Sequence, residues 1–118
     1  LINGDRKQAI AGYEESLDLL EKSDDPAAVL SWEGLHGYID LANSYIDDLN
    51  FSKVIAVLKR IKPQLVSLRT HHQASFQSGL PVFRRNLQLV LDHFEKKGYL
   101  NSDAYRKAQR ICRELVRF

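Results

Sequence analysis

Apolar residues recur at helical spacing along almost the whole 118-residue chain, and in two segments they fall into one register. Each segment opens with a turn, at Gly4 or at Leu49, and continues with a small or β-branched residue, an aliphatic residue and a bulky one. These positions are Ala9, Ile10 and Tyr13 in the first segment and Val54, Ile55 and Leu58 in the second. A helix pair with one such stripe cannot bury its apolar face alone, so the pattern predicts helices stacked on neighbours.

The first two predicted helices are separated by a break of serine, aspartate and proline. Helix one spans about residues 5–22, and its apolar stripe consists of Ala9, Ile10, Tyr13, Leu17 and Leu20. Asp25 is the expected N-cap of helix two and Pro26 its first residue. Helix two runs to about Asp48 with two apolar flanks, one of Tyr38, Leu41, Ala42, Tyr45 and Leu49 and one of Leu35, Ile39 and Ile46. We therefore expect neighbours on both of its sides.

Three more helices are predicted in the second half of the chain. Helix three runs from about Phe51 to Thr70, folds back on helix two after a very short turn, and should kink at Pro63. Residues 71–80 are expected to be a loose connection. Helix four follows and ends at Gly98, a predicted left-handed C-cap, and helix five starts after Ser102 and buries Ala104, Ala108, Ile111 and Leu115. The predicted fold class is all-α, over a single domain of residues 1–118 that we expect to be a piece of a longer protein.

The repeated register resembles the tetratricopeptide repeat, a helix–turn–helix unit. The residues that carry the resemblance are Leu41-Ala42 with Tyr45 in a first helix and Val54, Leu58 and Ile61 in a second. The turns at Gly4, Leu49 and Gly98 are 45 and 49 residues apart, against about 34 for the standard repeat, so the helices are of an extended type. Leu49 and Tyr38 stand where the family usually has Gly and Trp. The alternative fold is a plain five-helix bundle.

The resemblance implies a concave groove lined by the first helix of each unit. The groove-facing positions it implies are His36, Ile39, Asn43 and Asp47 on helix two and Arg85, Gln88, Asp92 and Glu95 on helix four. Asn43 matches the position at which the family often places an asparagine that bonds a peptide backbone. The basic residues that clamp a peptide carboxylate in co-chaperones are not found beside it.

Charge divides the chain into an acidic and a basic half. Residues 1–50 hold three basic and eleven acidic residues, a net charge of −8, whereas residues 51–118 hold fourteen basic and four acidic residues, a net charge of +10. Within helix five a basic face recurs at helical spacing, formed by Arg106, Arg110, Arg113 and Arg117. This face is a candidate contact for phosphates or an acidic partner, and the split predicts weak head-to-tail self-association at low salt. The carboxylates of helix one, such as Glu14, Glu15 and Asp18, are expected to form a solvated face.

The sequence carries no pattern typical of an enzyme. It has no glycine-rich phosphate loop, no HExxH motif and no paired-cysteine zinc spacing, so we expect no catalytic residues, no cofactor and no metal site. Cys112 is the only cysteine and is expected to be a packing residue without a redox role, which with the absence of a signal pattern favours a cytoplasmic location. No stretch approaches the ~20 apolar residues of a membrane span.

The predicted function is a non-catalytic interaction module, a scaffold or regulator segment that binds a protein or peptide. The alternative is a basic helical module that binds nucleic acid or another polyanion through its last helix. A third hypothesis is a sensor segment that transmits ligand binding to an effector domain elsewhere in the parent protein.

Overall fold

The structure, a computed structural model, describes residues 3–22 and 32–118. Six helices and no strand occur within these ranges, so the predicted all-α class is confirmed. The helices are α1 (Asn3–Lys22), α2 (Trp32–Asp47), α3 (Phe51–Lys59), α4 (Ile61–His71), α5 (Gln73–Lys96) and α6 (Asp103–Leu115). The predicted cap at Asp25 and the predicted helix start at Pro26 lie outside the described residues.

Helix α2 lies at the centre of the fold. It packs on α1, α3, α4 and α5, while α6 packs on α3 and α5. Both predicted flanks of α2 are buried, which confirms an inner helix: its buried residues are Leu35, Tyr38, Ile39, Leu41, Ala42, Tyr45 and Ile46. The molecule is 19 Å across its thinnest direction, about the thickness of two packed helices.

The turn after α2 places Leu49 in an unusual conformation. Its φ is 58°, in the left-handed region that a side chain disfavours, and the side chain is 50% exposed instead of lying in the predicted apolar flank. A left-handed backbone is what allows α3 to fold back at once.

The predicted third helix is two helices, because it breaks at Arg60. Pro63 has no N–H to donate to the Lys59 carbonyl, and its ring would clash with that carbonyl in a continuous helix. The chain therefore ends α3 at Lys59 and restarts at Ile61, so that Pro63 falls in the first turn of α4. The kink predicted at Pro63 is thus a break in the helix at Arg60, three residues before the proline. Val54, Leu58, Ile61, Leu65 and Leu68 of the predicted stripe remain buried across the break.

Residues 71–80 correct the prediction of a loose connection. A turn at His72 leads directly into α5, which continues through Pro81 to Lys96. Tertiary packing outweighs the poor local propensity, because Phe76, Leu80 and Phe83 on both sides of the proline are buried. The proline itself is exposed, so its missing hydrogen bond affects the solvent side of the helix.

Gly79 is needed because the ring of Trp32 lies against the backbone of α5. A Cβ at position 79 would lie 2.1 Å from Trp32 Nε1. The ring cannot easily move, since it stacks on Phe76 and its Nε1 donates a 2.7 Å hydrogen bond to the Ser75 carbonyl. The glycine that suggests a loop in the sequence is therefore a helix–helix contact point.

The predicted stripe of α1 is only partly buried. Ile10 and Leu17 are in the core, but Ala9 is exposed and Tyr13 is 36% exposed, which corrects the prediction for these two residues. Leu17 packs closely on α2, with its Cδ2 3.3 Å from where a Cβ of Gly37 would stand. The predicted ends of the last two helices are confirmed: Gly98 after α5 has a φ of 85°, and Ser102 Oγ before α6 accepts a hydrogen bond from Tyr105 N. Of the residues predicted to be buried in the last helix, Ala108 and Leu115 are buried, whereas Ala104 and Ile111 are only half-buried.

The first prediction concerns the core. Leu58 is fully buried in α3, so Leu58→Ala should lower the free energy of unfolding by about 2–5 kcal/mol. Leu19→Ala is the matched control, because Leu19 is 64% exposed on α1 and should change stability by less than about 0.5 kcal/mol. Urea denaturation measures the free energy of unfolding of both variants. Equal midpoints would contradict the burial of Leu58.

The second prediction compares two of the helical glycines, Gly79 and Gly12. Gly79→Ala should destabilise the protein by about 1–3 kcal/mol, since the new methyl group overlaps the Trp32 ring. Gly12→Ala places its methyl in open space on α1 and should stabilise the helix by up to about 1 kcal/mol. Thermal melts should therefore shift in opposite directions, and a shift of the same sign in both variants would count against the Trp32 contact.

Candidate partner-binding surfaces

The α2–α5 interface is a ladder of contacts between two helices that run in the same direction. At its start Trp32 packs on Phe76 and Phe83. Next along, the Asn86 amide donates to His36 Nε2 at 3.3 Å. At its end His93 Nε2 lies 2.8 Å from Asp47 Oδ1. Residue numbers rise together on both helices, so α2 and α5 are parallel.

A groove of about 280 Å³ opens on this interface, and we call it the α2/α5 groove. Its lining residues are His36, Ile39, Asp40, Asn43, Asn86 and Leu89. Ile39 is buried, whereas Leu89 is 51% exposed and leaves an apolar side chain facing solvent. The groove thus combines two aliphatic contacts with a convergent set of amide, imidazole and carboxylate groups.

Asn43 has an unsatisfied acceptor in this groove. Its Oδ1 is buried and has no hydrogen-bond partner within the described residues. A buried polar atom without a partner costs about 1–3 kcal/mol, so such an atom in a native protein needs an explanation. The side chain as a whole is half-buried and lines the groove, so a ligand there would meet the buried oxygen after a rotation of the carboxamide.

The pKa values of two carboxylates on α2 are shifted in opposite directions: Asp40 lines the groove, and Asp47 lies beyond its end. Burial raises the pKa of Asp40, and the charge of nearby His36 only partly opposes this effect. Burial also acts to raise the pKa of Asp47, but the hydrogen bonds and charges of His93 and Lys97 outweigh it and lower the pKa. Asp47 is thus already engaged, with Lys97 Nζ 3.4 Å away, and ties the end of α2 to α5.

The structure brings together His36, Ile39 and Asn43 of the residues that the sequence predicts for a groove. It does not bring the predicted α5 residues to them. Arg85 and Glu95 are exposed, and Gln88 lines a different groove and donates to Asp92 at 3.1 Å. The α5 residues that meet α2 are each one position further along, namely Asn86, Leu89 and His93. One residue is about 100° of rotation on a helix, enough to change the groove a side chain faces.

The four arginines of the basic face of α6 are exposed. Arg106 is paired with Asp103 at 3.0 Å, whereas Arg110, Arg113 and Arg117 have no acidic partner within the described residues. Two grooves flank the helix. The α5/α6 groove, of about 200 Å³, is lined by Arg84, Leu87, Gln88, Leu91, Gln109, Cys112, Arg113 and Val116. The α3/α6 groove, of about 250 Å³, is lined by Leu58, Lys59, Lys62, Arg110, Ile111, Glu114 and Leu115.

Cys112 is a packing residue in the core, as the sequence predicts. It is only 2% exposed, and burial raises the pKa of its thiol to about 12. The thiolate is therefore negligible near neutral pH, and a buried thiol of this kind is unreactive.

A polar cluster that the sequence does not predict fastens α1. Arg60, at the α3–α4 break, donates from Nη2 to Asp18 at 2.8 Å and from Nε to Glu21 at 2.8 Å. The Tyr38 hydroxyl donates to Glu21 at 3.0 Å, and the Tyr45 hydroxyl donates to Glu14. Glu14 and Asp18, expected to be solvated, are thus contact residues. In the sequence, the only sign of this cluster is the helical spacing of the carboxylates on α1, and that spacing does not predict which residues they contact.

No family model, no curated protein and no solved structure matches this chain. None of the helices in the described part of the chain combines the length and apolar character needed to cross a membrane. Among the same residues, no group of three or more His, Cys, Asp or Glu side chains is placed to hold a metal ion.

The pH dependence of stability tests the Asp47 contact. Because the folded state lowers the pKa of this carboxyl, its stabilising effect is present above the unfolded-state pKa of about 3.9 and is lost as the pH falls through the folded-state pKa. Asp47→Asn should therefore destabilise the protein at pH 6 and progressively less below about pH 4. Glu95→Gln, an exposed change on α5, should show no such trend. Urea melts across the pH range measure both, and parallel curves for the two variants would contradict the contact.

Proposed function

We propose that the protein is a non-catalytic interaction module that binds a peptide or an extended segment of a protein in the α2/α5 groove. The observation that carries this proposal is the buried, unpartnered Asn43 Oδ1 in a groove that also offers exposed Leu89. A peptide backbone N–H would complete the hydrogen bonding of that oxygen. An apolar side chain of the ligand would cover Leu89 and the edge of Ile39.

The arrangement of the helices supports this location. In a tetratricopeptide-like array the first helices of successive units run parallel and line the concave surface. Here α2 and α5 run parallel, and α3 folds back on α2 after a short turn. We therefore infer that α2 and α5 are first helices of adjacent units, with α1 as the second helix of a preceding one. The membership of the chain in that family is part of the proposal.

The groove chemistry limits the ligand class. A volume of about 280 Å³ lies at the lower edge of the range for enclosed small-molecule sites, which favours a few residues of a chain passing through an open groove. Asp40 and His36 lie beside Asn43 and offer a carboxylate acceptor and an imidazole. The preferred ligand is an extended peptide with one aliphatic side chain and a donor group placed for Asp40.

Selection from a random peptide library followed by affinity measurement tests this function. Peptides enriched on the 118-residue chain should bind in fluorescence anisotropy with dissociation constants of about 1–100 μM, the range of modest peptide contacts. Asn43→Ala removes the acceptor, and Leu89→Glu places a charge on the apolar contact. Each should weaken binding by about tenfold, or 1.4 kcal/mol.

Leu100→Glu is the matched control, because Leu100 is exposed as well but lines none of the three grooves. Its affinity should equal that of the unchanged protein. Failure to enrich any peptide, or equal effects of Leu89→Glu and Leu100→Glu, would contradict peptide binding in the α2/α5 groove.

The second candidate function is binding of nucleic acid or another polyanion through α6. The observation that favours it is the exposure of Arg110, Arg113 and Arg117 without acidic partners within the described residues. Binding of this kind falls steeply as salt rises, whereas binding to the α2/α5 groove should change little. A duplex DNA probe titrated at low and moderate salt distinguishes the two.

A further inference from the structure

The basic residues of the second half differ in whether they have acidic partners. Arg60 pairs with Asp18 and Glu21, Lys53 with Glu14, Lys97 with Asp47, and Arg106 with Asp103. The three cations that line the α3/α6 groove are different. Lys59, Lys62 and Arg110 are exposed and have no acidic partner within the described residues.

The position of these cations follows from the break in the third helix. Pro63 forces the chain to restart after Arg60, and the break directs Arg60 to α1 while Lys59 and Lys62 line the opposite groove. Arg110 reaches the same groove from α6. Helices α3, α4 and α6 thus place three positive charges around one opening, against a single carboxylate, that of Glu114.

The floor of the α3/α6 groove is apolar. It consists of Leu58 and Leu115, which are buried, and Ile111, which is partly exposed. The stems of the lysines add apolar surface to the walls while their ammonium groups stay in water. At about 250 Å³ the groove is below the usual size of a small-molecule site, but it accommodates one or two aliphatic side chains of a larger partner.

We propose that the α3/α6 groove docks an acidic amphipathic helix of a partner protein. Apolar side chains of that helix fill the groove over Ile111, and its carboxylates meet Lys59, Lys62 and Arg110. Helices commonly bind in this way, with an apolar stripe in a groove and charged flanks that set orientation. The site is separate from the α2/α5 groove and does not depend on the function proposed for it.

Two other occupants fit the groove less well. Phosphates of a nucleic acid gain nothing from an apolar floor and are repelled by Glu114, which lies among the cations. A second copy of this chain would have to offer an acidic helix, but Glu14, Asp18 and Glu21 of α1 are already bound to Lys53 and Arg60. Self-association through the charge split therefore has fewer free carboxylates than the sequence suggests.

The test uses a fluorescein-labelled synthetic helix of leucine and glutamate, with leucines at i, i+3, i+4 and i+7. A second peptide has the same composition but scrambled leucine positions, so it keeps the charge and loses the apolar stripe. The two peptides are titrated with the 118-residue chain at about 0.1 M salt, and anisotropy measures binding. The patterned peptide should bind at least about tenfold more tightly than the scrambled peptide. Equal affinity for the scrambled peptide, or no binding of the patterned one, would overturn the proposal.

Variants then locate the site. The double variant Lys62→Glu, Arg110→Glu should bind the patterned peptide at least about tenfold more weakly. Ile111→Gln should weaken binding to a similar extent without changing any charge. Lys96→Glu on α5 is the matched charge reversal outside the groove and should change affinity less than about twofold. Circular dichroism confirms that each variant is folded, as expected for exposed or half-exposed positions.

The remaining outcomes decide against the proposal. A DNA duplex that binds more tightly than the patterned peptide and is lost in the Lys62 and Arg110 double variant would assign the groove to polyanions. Sedimentation that shows a dimer abolished by the same double variant would assign it to a second copy. An effect of Lys96→Glu as large as that of the double variant would show only non-specific attraction.

Discussion

The structure depends on the burial of both flanks of α2. Residues such as Tyr38 and Ile39 lie on different sides of this helix and are both buried, so no single neighbour can cover it. Helices α1, α3, α4 and α5 surround it, whereas α6 packs mainly on α3 and α5. The apolar area that stabilises the fold is therefore organised around one 16-residue helix, and each other element contributes by covering part of it.

This arrangement accounts for the two places where local chemistry looks unfavourable. Helix α5 tolerates Gly79 and Pro81 because a Cβ at position 79 would overlap Trp32 and because the buried residues around the proline hold the helix together. The α3–α4 break places Arg60 where it binds the carboxylates of α1 and places Lys59 and Lys62 on the other side. One proline thus helps to fasten a peripheral helix and to form a basic groove whose cations have no acidic partner in the described part of the chain. Asn43 Oδ1, which has no hydrogen-bond partner among the described residues, is a different kind of feature, since Asn43 lines a surface groove.

The sequence predicts well what depends on period and capping. The 3.6-residue stripes of α2 and α3, the left-handed Gly98 and the Ser102 cap follow from rules that need no knowledge of neighbours. It fails where a tertiary contact decides. Gly79 and Pro81 suggest a loop, but Trp32 lies against Gly79 and the buried residues on both sides of Pro81 keep the segment helical. Tyr13 belongs to the predicted stripe of α1, but this helix buries only Ile10 and Leu17 of that stripe. The lining of the α2/α5 groove was predicted incorrectly for the same reason, because a single sequence does not determine the rotation of α5 about its axis relative to α2. An error of one residue exchanges Gln88 for Leu89 as the lining residue.

Native-state hydrogen exchange of the backbone amides, measured by NMR, tests the central position of α2 most directly. If the fold is organised around this helix, the amides of Leu41 to Ile46 exchange only through global unfolding and share its free energy and denaturant dependence. The amides of α1, which buries Ile10 and Leu17 and makes polar contacts to Arg60, Tyr38 and Tyr45 at its surface, should open at a lower free energy. Equal protection of α1 and α2, or exchange of the α2 amides through a local opening, would contradict the account.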